Sequence, residues 1–322
     1  MQRFKRVFEQ LFPKEPVITQ QLTIPQQAGL FGLFALFFSL LGLFIPADGL
    51  LAFDWRHFFG IGNIPPFYPP WAGALARLLT WPTLIGFTLA AVALAGFQRA
   101  RHGVSLACVF LSLPVLWTLF LGQVDGLVLL GTLGLPWLAP LALLKPQISI
   151  FSFLARKSSL LALGLTLLVS FAIWGFWPLR MFSVWTVHAE GKYPNDIAIG
   201  LIGLPIALVL LWFSRGDVDM LMLAGTFTTP YLLPYNLIVV APAIARMPPA
   251  MALIALVFSW APMSANWLGP SGWWLGWLFI GWVWLGLAAA RYPGSVFARI
   301  FRKLRLVPLE PANDHYSHAR TG

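Results

Sequence analysis

The chain has 322 residues, of which 59% are hydrophobic and 10% are charged, and its mean hydropathy is +0.78. This composition excludes an ordinary soluble domain and indicates a membrane protein with several spans. The formal net charge is +10, but no nucleic-acid partner is expected, because the membrane topology accounts for the basic residues.

The first predicted element is a cytoplasmic segment over residues 1–27. Its apolar side chains Phe4, Val7, Phe8 and Leu11 recur at helical spacing. This spacing predicts a short amphipathic helix that lies on the membrane surface. The segment lacks the apolar core and the cleavage site of a signal peptide.

A transmembrane domain is predicted over residues 28–290, because a helix needs about 20 apolar residues to cross a bilayer. The clear candidate runs are 28–46, 71–97, 104–121, 158–177, 197–213, 250–267 and 273–290. Two further regions, 124–155 and 220–245, hold shorter apolar pieces interrupted by proline, and we expect short or re-entrant helices there. The predicted fold class is therefore all-α, a polytopic membrane bundle of about nine to twelve transmembrane or re-entrant helices.

The basic residues predict the orientation of this bundle. With the N-terminus inside, the 21 Lys and Arg residues all lie in cytoplasmic segments except Arg56, Arg77, Lys145, Arg180 and Lys192. This bias follows the positive-inside rule. Both termini are therefore predicted to be cytoplasmic, and residues 291–322 form a basic C-terminal tail.

Lys145 lies in LAPLALLKPQISIFSFLA, a stretch that holds no other charge. A charge at that depth is tolerated when it faces an ion partner or a watery cavity. Pro146 follows directly, so the helix breaks at the charged residue, and broken helices line cavities or are buried in protein. We expect a functional site at this break. The alternative is that Lys145 snorkels to the outer headgroups.

The predicted topology brings polar groups from several segments to the outer face. These groups are Asp48, Asp54, Arg56, His57, Tyr68, Gln123, Asp125, Lys145, Gln147, Arg180, His188, Glu190, Lys192, Tyr193, Asn195, Asp196, Thr229 and Tyr231. A carboxylate can accept the proton of a hydroxyl nucleophile. Lysine, arginine and amide groups can bind a phosphate and stabilise its charge. Such a set at a membrane surface suits a lipid-linked phosphate substrate.

Simpler interpretations stay open for several of these residues. Asp54 paired with a neighbouring arginine would be a solvated loop carboxylate, and Gln123 alone would be a helix cap. Arg180 is equally compatible with an anchor at the membrane interface. His57 and His188 have no metal-ligand spacing, so no metal site is predicted.

Four motifs occur in a defined order along the chain. They are Phe67-Tyr68-Pro69-Pro70, GQVDGLVLLG at 122–131, LLKPQ at 143–147 and TTPYLLPYNLIVVAPAIA at 228–245. In this order the motifs resemble glycosyltransferase family 87, a family of polytopic GT-C enzymes related to the polyprenol-phosphate-mannose-dependent mannosyltransferases. The resemblance spans roughly residues 54–245.

The resemblance implies a GT-C-like helical bundle and an inverting hexosyltransferase. The donor would be a polyprenyl-phosphate sugar, with mannose as one candidate hexose, and the acceptor a hydroxyl of a lipid, glycan or protein. The catalytic base of such enzymes is an acidic residue of the first outer loop. Asp54 occupies that place, with Asp48 as the second candidate.

The remaining site residues are expected to divide by role. Donor-phosphate binding is predicted for Lys145, Gln123, Gln147 and, from its chemistry alone, Arg180. Substrate binding is predicted for Trp55, His57, Tyr68, Tyr231 and Asn236. No cofactor is expected beyond the donor substrate. The expected location is the plasma membrane, with the active site on the extracytoplasmic face.

Departures from the family pattern leave two other functions open. The first outer loop is short, and many members carry His or Asp where this chain has Pro234-Tyr235-Asn236. A transporter or flippase of an anionic lipid would also use a broken helix with a buried lysine, although no inverted repeat is visible. A non-catalytic subunit of a membrane complex is the third interpretation.

Overall fold

A computed structural model of the protein describes residues 22–65, 68–181, 195–304 and 306. All regular secondary structure in these ranges is helical, which confirms the all-α prediction. Five helical stretches are long and apolar enough to cross a membrane, namely Ile24–Gly42, Trp81–Arg99, Gly103–Leu121, Lys157–Trp174 and Pro249–Arg291. The predicted surface helix of the first 21 residues lies outside the described part of the chain.

The described α-helices are numbered in chain order. The N-terminal half contains α1 (Ile24–Gly42), α2 (Ala72–Leu78), α3 (Trp81–Arg99), α4 (Gly103–Leu111), α5 (Leu113–Leu121), α6 (Asp125–Leu133), α7 (Ala139–Ala142) and α8 (Pro146–Ser149). A short π-helix, Trp55–Phe59, lies between α1 and α2, and a 3₁₀ turn, Ile150–Ala155, follows α8.

The C-terminal half consists of further helices and several 3₁₀ turns. Its α-helices are α9 (Lys157–Trp174), α10 (Leu204–Ser214), α11 (Val218–Thr226), α12 (Pro249–Trp260), α13 (Ala265–Leu268), α14 (Gly276–Arg291) and α15 (Val296–Lys303). The 3₁₀ turns are Gly200–Gly203, Pro234–Val239, Ala241–Arg246, Ala261–Ser264 and Gly269–Leu275.

Helix α3 lies in the centre of the bundle, and most of its residues are buried. It packs against α1, α6 and the 3₁₀ turn Ala241–Arg246. A Cβ on Gly86 would lie 2.0 Å from the Oγ of Ser39 and 2.7 Å from the carbonyl oxygen of Ala35, so only glycine lets α1 approach so closely. Small residues at such crossings are typical of helices packed in membranes. By contrast, the outer faces of α1 and α9 carry many exposed apolar side chains.

The predicted span 71–97 is wrong as a single helix. The chain breaks before α3, where the Thr80 N–H donates to the Thr83 hydroxyl at 2.7 Å and the Thr83 N–H donates back to the Thr80 hydroxyl at 3.4 Å. This reciprocal capping box starts a new helix. The predicted interruptions within 124–155 and 220–245 are confirmed, because each region is divided into short helical pieces.

A buried ionic network holds one end of the bundle. Arg99, at the end of α3, donates from Nε to both oxygens of Asp219, at 2.9 and 3.0 Å. Arg246 donates to Asp219 at 3.0 Å and to Asp217 at 2.8 and 2.9 Å. The two arginines balance the two carboxylates, so the network is neutral and joins three distant segments. It lies at the opposite end of α3 from Trp81, and its assignment to the cytoplasmic side stays a prediction.

Candidate functional site

Asp54 lies beside Gln123 near the start of α3. Asp54 directly precedes the π-helix, and its Oδ2 accepts a hydrogen bond from Nε2 of Gln123. Arg56 donates instead to the carbonyl oxygen of Gly49. The described ion pairs do not join Arg56 to Asp54, so the structure favours a carboxylate held by an amide over a solvated loop pair.

Gly122 places Gln123 in the site. It ends α5 in the left-handed conformation with φ 73°, which glycine adopts without steric cost. A Cβ at this position would lie 2.7 Å from the Cβ of Trp55 and 3.0 Å from Cζ3 of Trp81. Two constraints therefore fix the position of Gly122 and of the adjacent Gln123, namely the left-handed backbone and the close packing against Trp55 and Trp81.

Lys145 points into the protein. The residue before a proline avoids the helical conformation, and the chain turns at Lys145 before α8 begins at Pro146. Its Nζ lies 2.6 Å from Oδ2 of Asp125 and 3.0 Å from Oε1 of Gln123. Because the side chain is only 2% exposed, the snorkelling alternative is wrong. The charge is paired rather than solvated.

Aromatic and amide groups complete the surroundings of this ion pair. The Lys145 Nζ lies 4.6 Å from the ring centre of Tyr235 and 5.4 Å from that of Tyr68, distances at which a ring face attracts a cation. Asn236 donates to the second oxygen of Asp125 at 2.9 Å. Both carboxylate oxygens of Asp125 are thus hydrogen-bonded, as a buried charge requires.

Gln147 contacts a different part of the site. Its Nε2 donates to the hydroxyl of Tyr231 at 2.6 Å, and its backbone carbonyl accepts from the hydroxyl of Thr229 at 2.9 Å. The Lys-Pro-Gln break therefore supports two other side chains, Gln123 through Lys145 and Tyr231 through Gln147.

A cavity of about 410 Å³ lies beside these groups. Its wall is formed by Phe53, Asp54, Phe58, Phe59, Pro65, Tyr68, Gln123, Asp196, Tyr231, Leu233 and Tyr235. A volume of this size falls in the range of about 300–1,000 Å³ that small-molecule sites occupy. The cavity combines apolar rings with a few polar groups, which is the usual composition of such sites.

The structure brings some of the predicted site residues to the cavity wall and leaves others behind it. Among the predicted residues, the wall includes Asp54, Tyr68, Gln123 and Tyr231. A second layer behind the wall consists of Lys145, Gln147 and Asn236, each buried and each hydrogen-bonded to a neighbouring side chain of the site.

Three further predicted residues lie elsewhere. Trp55 is buried under Gly122 and is a packing residue in this structure. His57 is exposed, and its ring stacks on that of Phe53 with 4.2 Å between centroids. Arg180 is exposed and is not among the described residues of the cavity wall. Phosphate binding by Lys145, Gln123, Gln147 and Arg180 stays a prediction.

The surroundings of Asp54 act on its ionisation in opposite directions. Burial raises the pKa of Asp54 above its ordinary value, and the hydrogen bond from Gln123 and the positive charge of Lys145 lower it. Burial also raises the pKa of Tyr68 well above its ordinary value, so its hydroxyl stays protonated and donates to Oε1 of Gln123 at 3.4 Å. The result is a carboxylate that can exchange a proton nearer to neutral pH.

Three polar residues near the cavity, Asp125, Asp196 and Tyr235, are not among the site residues that the sequence predicts. The sequence indicates Asp125 and Asp196 only as polar groups of the outer face, and Tyr235 only as part of a neutral segment. For Asp125 a signal was available, because a carboxylate next to an apolar helix requires a partner as much as Lys145 does. For Asp196 and Tyr235 no spacing rule would have indicated the cavity.

No group of three or more His, Cys, Asp or Glu side chains that could hold a metal ion occurs in the described ranges. Comparison with protein-family models finds no match for this chain, and no match is found among curated proteins or among solved structures. The resemblance to glycosyltransferase family 87 therefore stays a prediction from motif order.

Proposed function

We propose that the protein is a membrane glycosyltransferase that moves a hexose from a polyprenyl-phosphate donor to a hydroxyl acceptor. Five helical stretches are long and apolar enough to cross a membrane, which supports the proposal because the donor's lipid tail lies in a bilayer. The GT-C-like arrangement, the cytoplasmic termini and the extracytoplasmic position of the site are parts of the same proposal. They rest on motif order and on the distribution of basic residues.

The observation that carries the proposal is the position of Asp54. Its carboxylate lies on the wall of a small-molecule cavity and is held there by the amide of Gln123. A general base must lie within hydrogen-bonding reach of the proton that it removes. A hydroxyl group bound in this cavity would meet that condition.

The reaction would be a single displacement. Asp54 removes the proton of the acceptor hydroxyl, and the oxygen attacks the anomeric carbon of the donor sugar. The bond between that carbon and the phosphate oxygen breaks, and its electron pair leaves with the polyprenyl phosphate. Attack from the side opposite the leaving group inverts the anomeric centre. The proton remains on Asp54 until it passes to solvent.

Gln123 and Lys145 would act together on the base. Oε1 of Gln123 accepts hydrogen bonds from Lys145 and Tyr68. These two donors orient the amide so that its Nε2 faces Asp54. The same amide lowers the pKa of the carboxyl, which favours the ionised form that accepts a proton. Lys145 would thus work through Gln123 as a positioning residue.

The test is an Asp54→Asn variant reconstituted in nanodiscs. Transfer of a labelled hexose from polyprenyl-phosphate donors to a membrane-lipid extract is measured for wild type and variant. We expect a loss of about 10²-fold or more, because general base catalysis contributes that much. Asp48→Asn is the matched comparison, because Asp48 is the second candidate base of the same loop but is exposed and is not among the described residues of the cavity wall. Wild-type transfer by Asp54→Asn would exclude Asp54 as base, and the absence of transfer from every donor by wild type would count against the proposal.

A further inference from the structure

Helix α15 follows closely on the last candidate membrane-crossing stretch. Helix α14 ends at Arg291, and α15 begins a few residues later at Val296. The sequence of α15, VFARIFRK, consists of apolar and basic residues and holds no acidic one. At about 3.6 residues per turn, its apolar side chains gather on one side of the helix and its basic side chains on the other. This pattern is typical of helices that lie in the interface of a membrane.

Part of the apolar side holds α15 against the bundle. Ala298 and Phe301 are buried, and the ring centroid of Phe301 lies 5.5 Å from that of Trp282 in α14. Phe297 also contacts α14, because its ring centroid lies 6.3 Å from that of Trp284. Helix α15 therefore packs alongside the final turns of α14. Its position is tied to the end of a candidate membrane-crossing stretch.

The rest of the apolar side is exposed. Val296, Ile300 and Leu304 are 56%, 44% and 61% exposed, and their spacing of four residues places them on one line along the helix. We call these three residues the apolar stripe. Acyl chains beside a membrane span would remove the stripe from water, which is favourable for large apolar side chains. Because α15 packs beside the end of α14, the bilayer is the surface that the stripe would meet.

A basic edge runs beside the apolar stripe, and it consists of Arg299 and Lys303. Both side chains are exposed, and they lie four residues apart on the same side of the helix. Within the described residues, neither side chain takes part in a hydrogen bond or an ion pair. Arg302, by contrast, donates to the carbonyl oxygen of Pro293 at 2.9 Å. Basic side chains at the surface of a bilayer attract anionic headgroups.

The same charges argue against a second copy of the chain as the partner. A twofold contact through the apolar stripe would bring two basic edges to one interface, where like charges oppose association. An anionic bilayer offers acyl chains to the stripe and phosphate groups to the basic edge. It therefore complements both features of the exposed surface at the same time.

We propose that α15 is an interfacial helix that binds anionic phospholipid. The apolar stripe inserts among acyl chains, and Arg299 and Lys303 bind the headgroup phosphates. The helix lies at the end of the bundle that holds the ionic network, because the hydroxyl of Tyr292 donates to the carbonyl oxygen of Phe213 at 2.7 Å, shortly before Asp217. This lipid surface is separate from the candidate site and goes beyond the proposed function.

Local photocrosslinking tests the proposal on the full chain. Ile300 is replaced by p-benzoylphenylalanine in nanodiscs that contain equal amounts of phosphatidylglycerol and phosphatidylcholine, and mass spectrometry identifies the crosslinked lipids. The same photoprobe at Leu168, which is 67% exposed on the span α9, gives the reference ratio of the two lipids. We expect phosphatidylglycerol at Ile300 to exceed this reference by about threefold or more, because each nearby basic residue attracts anionic lipid.

Arg299→Gln combined with Lys303→Gln should return the lipid ratio at Ile300 to the reference, and each single variant should lower it by an intermediate amount. Arg77→Gln combined with Arg101→Gln is the matched control, because it removes the same charge from exposed positions outside α15. This control should keep the enrichment. Thermal unfolding of each variant checks that the fold is retained.

Three results would overturn the inference. Crosslinks from Ile300 to protein instead of lipid would show that another segment of the chain or a second copy covers the stripe. A lipid ratio equal to the reference in the wild-type background would exclude selection of anionic lipid. An enrichment that survives the loss of both Arg299 and Lys303 would exclude the basic edge as its cause. No donor or acceptor enters the experiment, so its outcome is independent of the proposed function.

Discussion

The ammonium of Lys145 lies 2.6 Å from the carboxylate of Asp125, and the side chains are 2% and 0% exposed. Each residue lowers the free-energy cost of burying the other, because an unpaired buried charge costs far more than a pair with satisfied hydrogen bonds. The pair joins the helix break at Pro146 to the start of α6. It also brings a positive charge close to Gln123 without exposing that charge to the cavity.

Breaking this ion pair should destabilise the protein strongly. Lys145→Met leaves Asp125 buried and charged without its counter-ion, and we expect a loss of about 3–5 kcal/mol in the free energy of unfolding. Asp125→Asn leaves the opposite charge unpaired and should also destabilise. The measurement is reversible unfolding in detergent, followed by tryptophan fluorescence.

The double variant separates the ion pair from general packing. Lys145→Met combined with Asp125→Asn removes both charges. The amide oxygen that Asp125→Asn leaves at position 125 can still accept a hydrogen bond from Asn236. We expect it to be more stable than either single variant, which gives a favourable coupling energy. Strictly additive losses would show that the two side chains contribute independently and would refute the pair as the source of stability.

The pH dependence of transfer should report on Asp54. A general base must be ionised, so kcat/KM rises with pH through the pKa of its carboxyl, and burial places that pKa above the ordinary 3.8. The Gln123 hydrogen bond lowers this pKa. Gln123→Leu removes it, so the rising limb of the profile should shift to higher pH. Gln147→Leu, which loses the contact with Tyr231 instead, should leave the limb in place, and an unmoved limb in Gln123→Leu would contradict this role.

Much of the architecture follows from local sequence signals. Apolar length predicts the long helices, and the Lys145-Pro146 pair predicts a break with a buried charge. Both predictions rest on short-range rules. A helix in a membrane must satisfy its own backbone hydrogen-bonding groups, and a proline interrupts the helix. The break before α3 follows a local rule too, because Thr80 and Thr83 form a capping box. A hydropathy average does not reveal this capping box, because the apolar residues on either side of it keep the average high.

The composition of the cavity does not follow from such rules. Asp196 and Asp54 are far apart in the chain, but both of their segments are connected to α5. The N–H of Ala52 donates to Phe120 in α5, and Asp196 accepts from Leu232, which precedes the turn Pro234–Val239 that packs against α5. Likewise, the partner of Lys145 is Asp125, 20 residues earlier, which hydropathy does not identify. Tertiary packing decides which polar groups face the cavity and which lie behind it, and this explains why Lys145 and Asn236 support the wall rather than line it.

The ionic network at the other end of α3 should contribute to stability and leave the site unchanged. Asp219→Asn removes a carboxylate that pairs with both Arg99 and Arg246. Arg99, which is buried, is left without its carboxylate partner, and we expect a loss of about 3 kcal/mol or more in the free energy of unfolding. Transfer per folded molecule and the pH profile should match wild type. A selective loss of activity at full stability would assign this network a role in the reaction.

Gly122 offers the sharpest test of how the fold positions Gln123. Gly122→Ala adds a Cβ at φ 73°, only 2.7 Å from the Cβ of Trp55, whereas Gly62→Ala adds a Cβ at the same φ of 73° with no atom within 4 Å. The Gly62 variant should lose only about 1–2 kcal/mol, the cost of a left-handed alanine. The Gly122 variant should lose a further 1–3 kcal/mol or so from overpacking. Because the clash also displaces Gln123 from Asp54, transfer should fall in the Gly122 variant beyond what its stability explains. Equal effects in the two variants would mean that backbone conformation alone makes this glycine necessary.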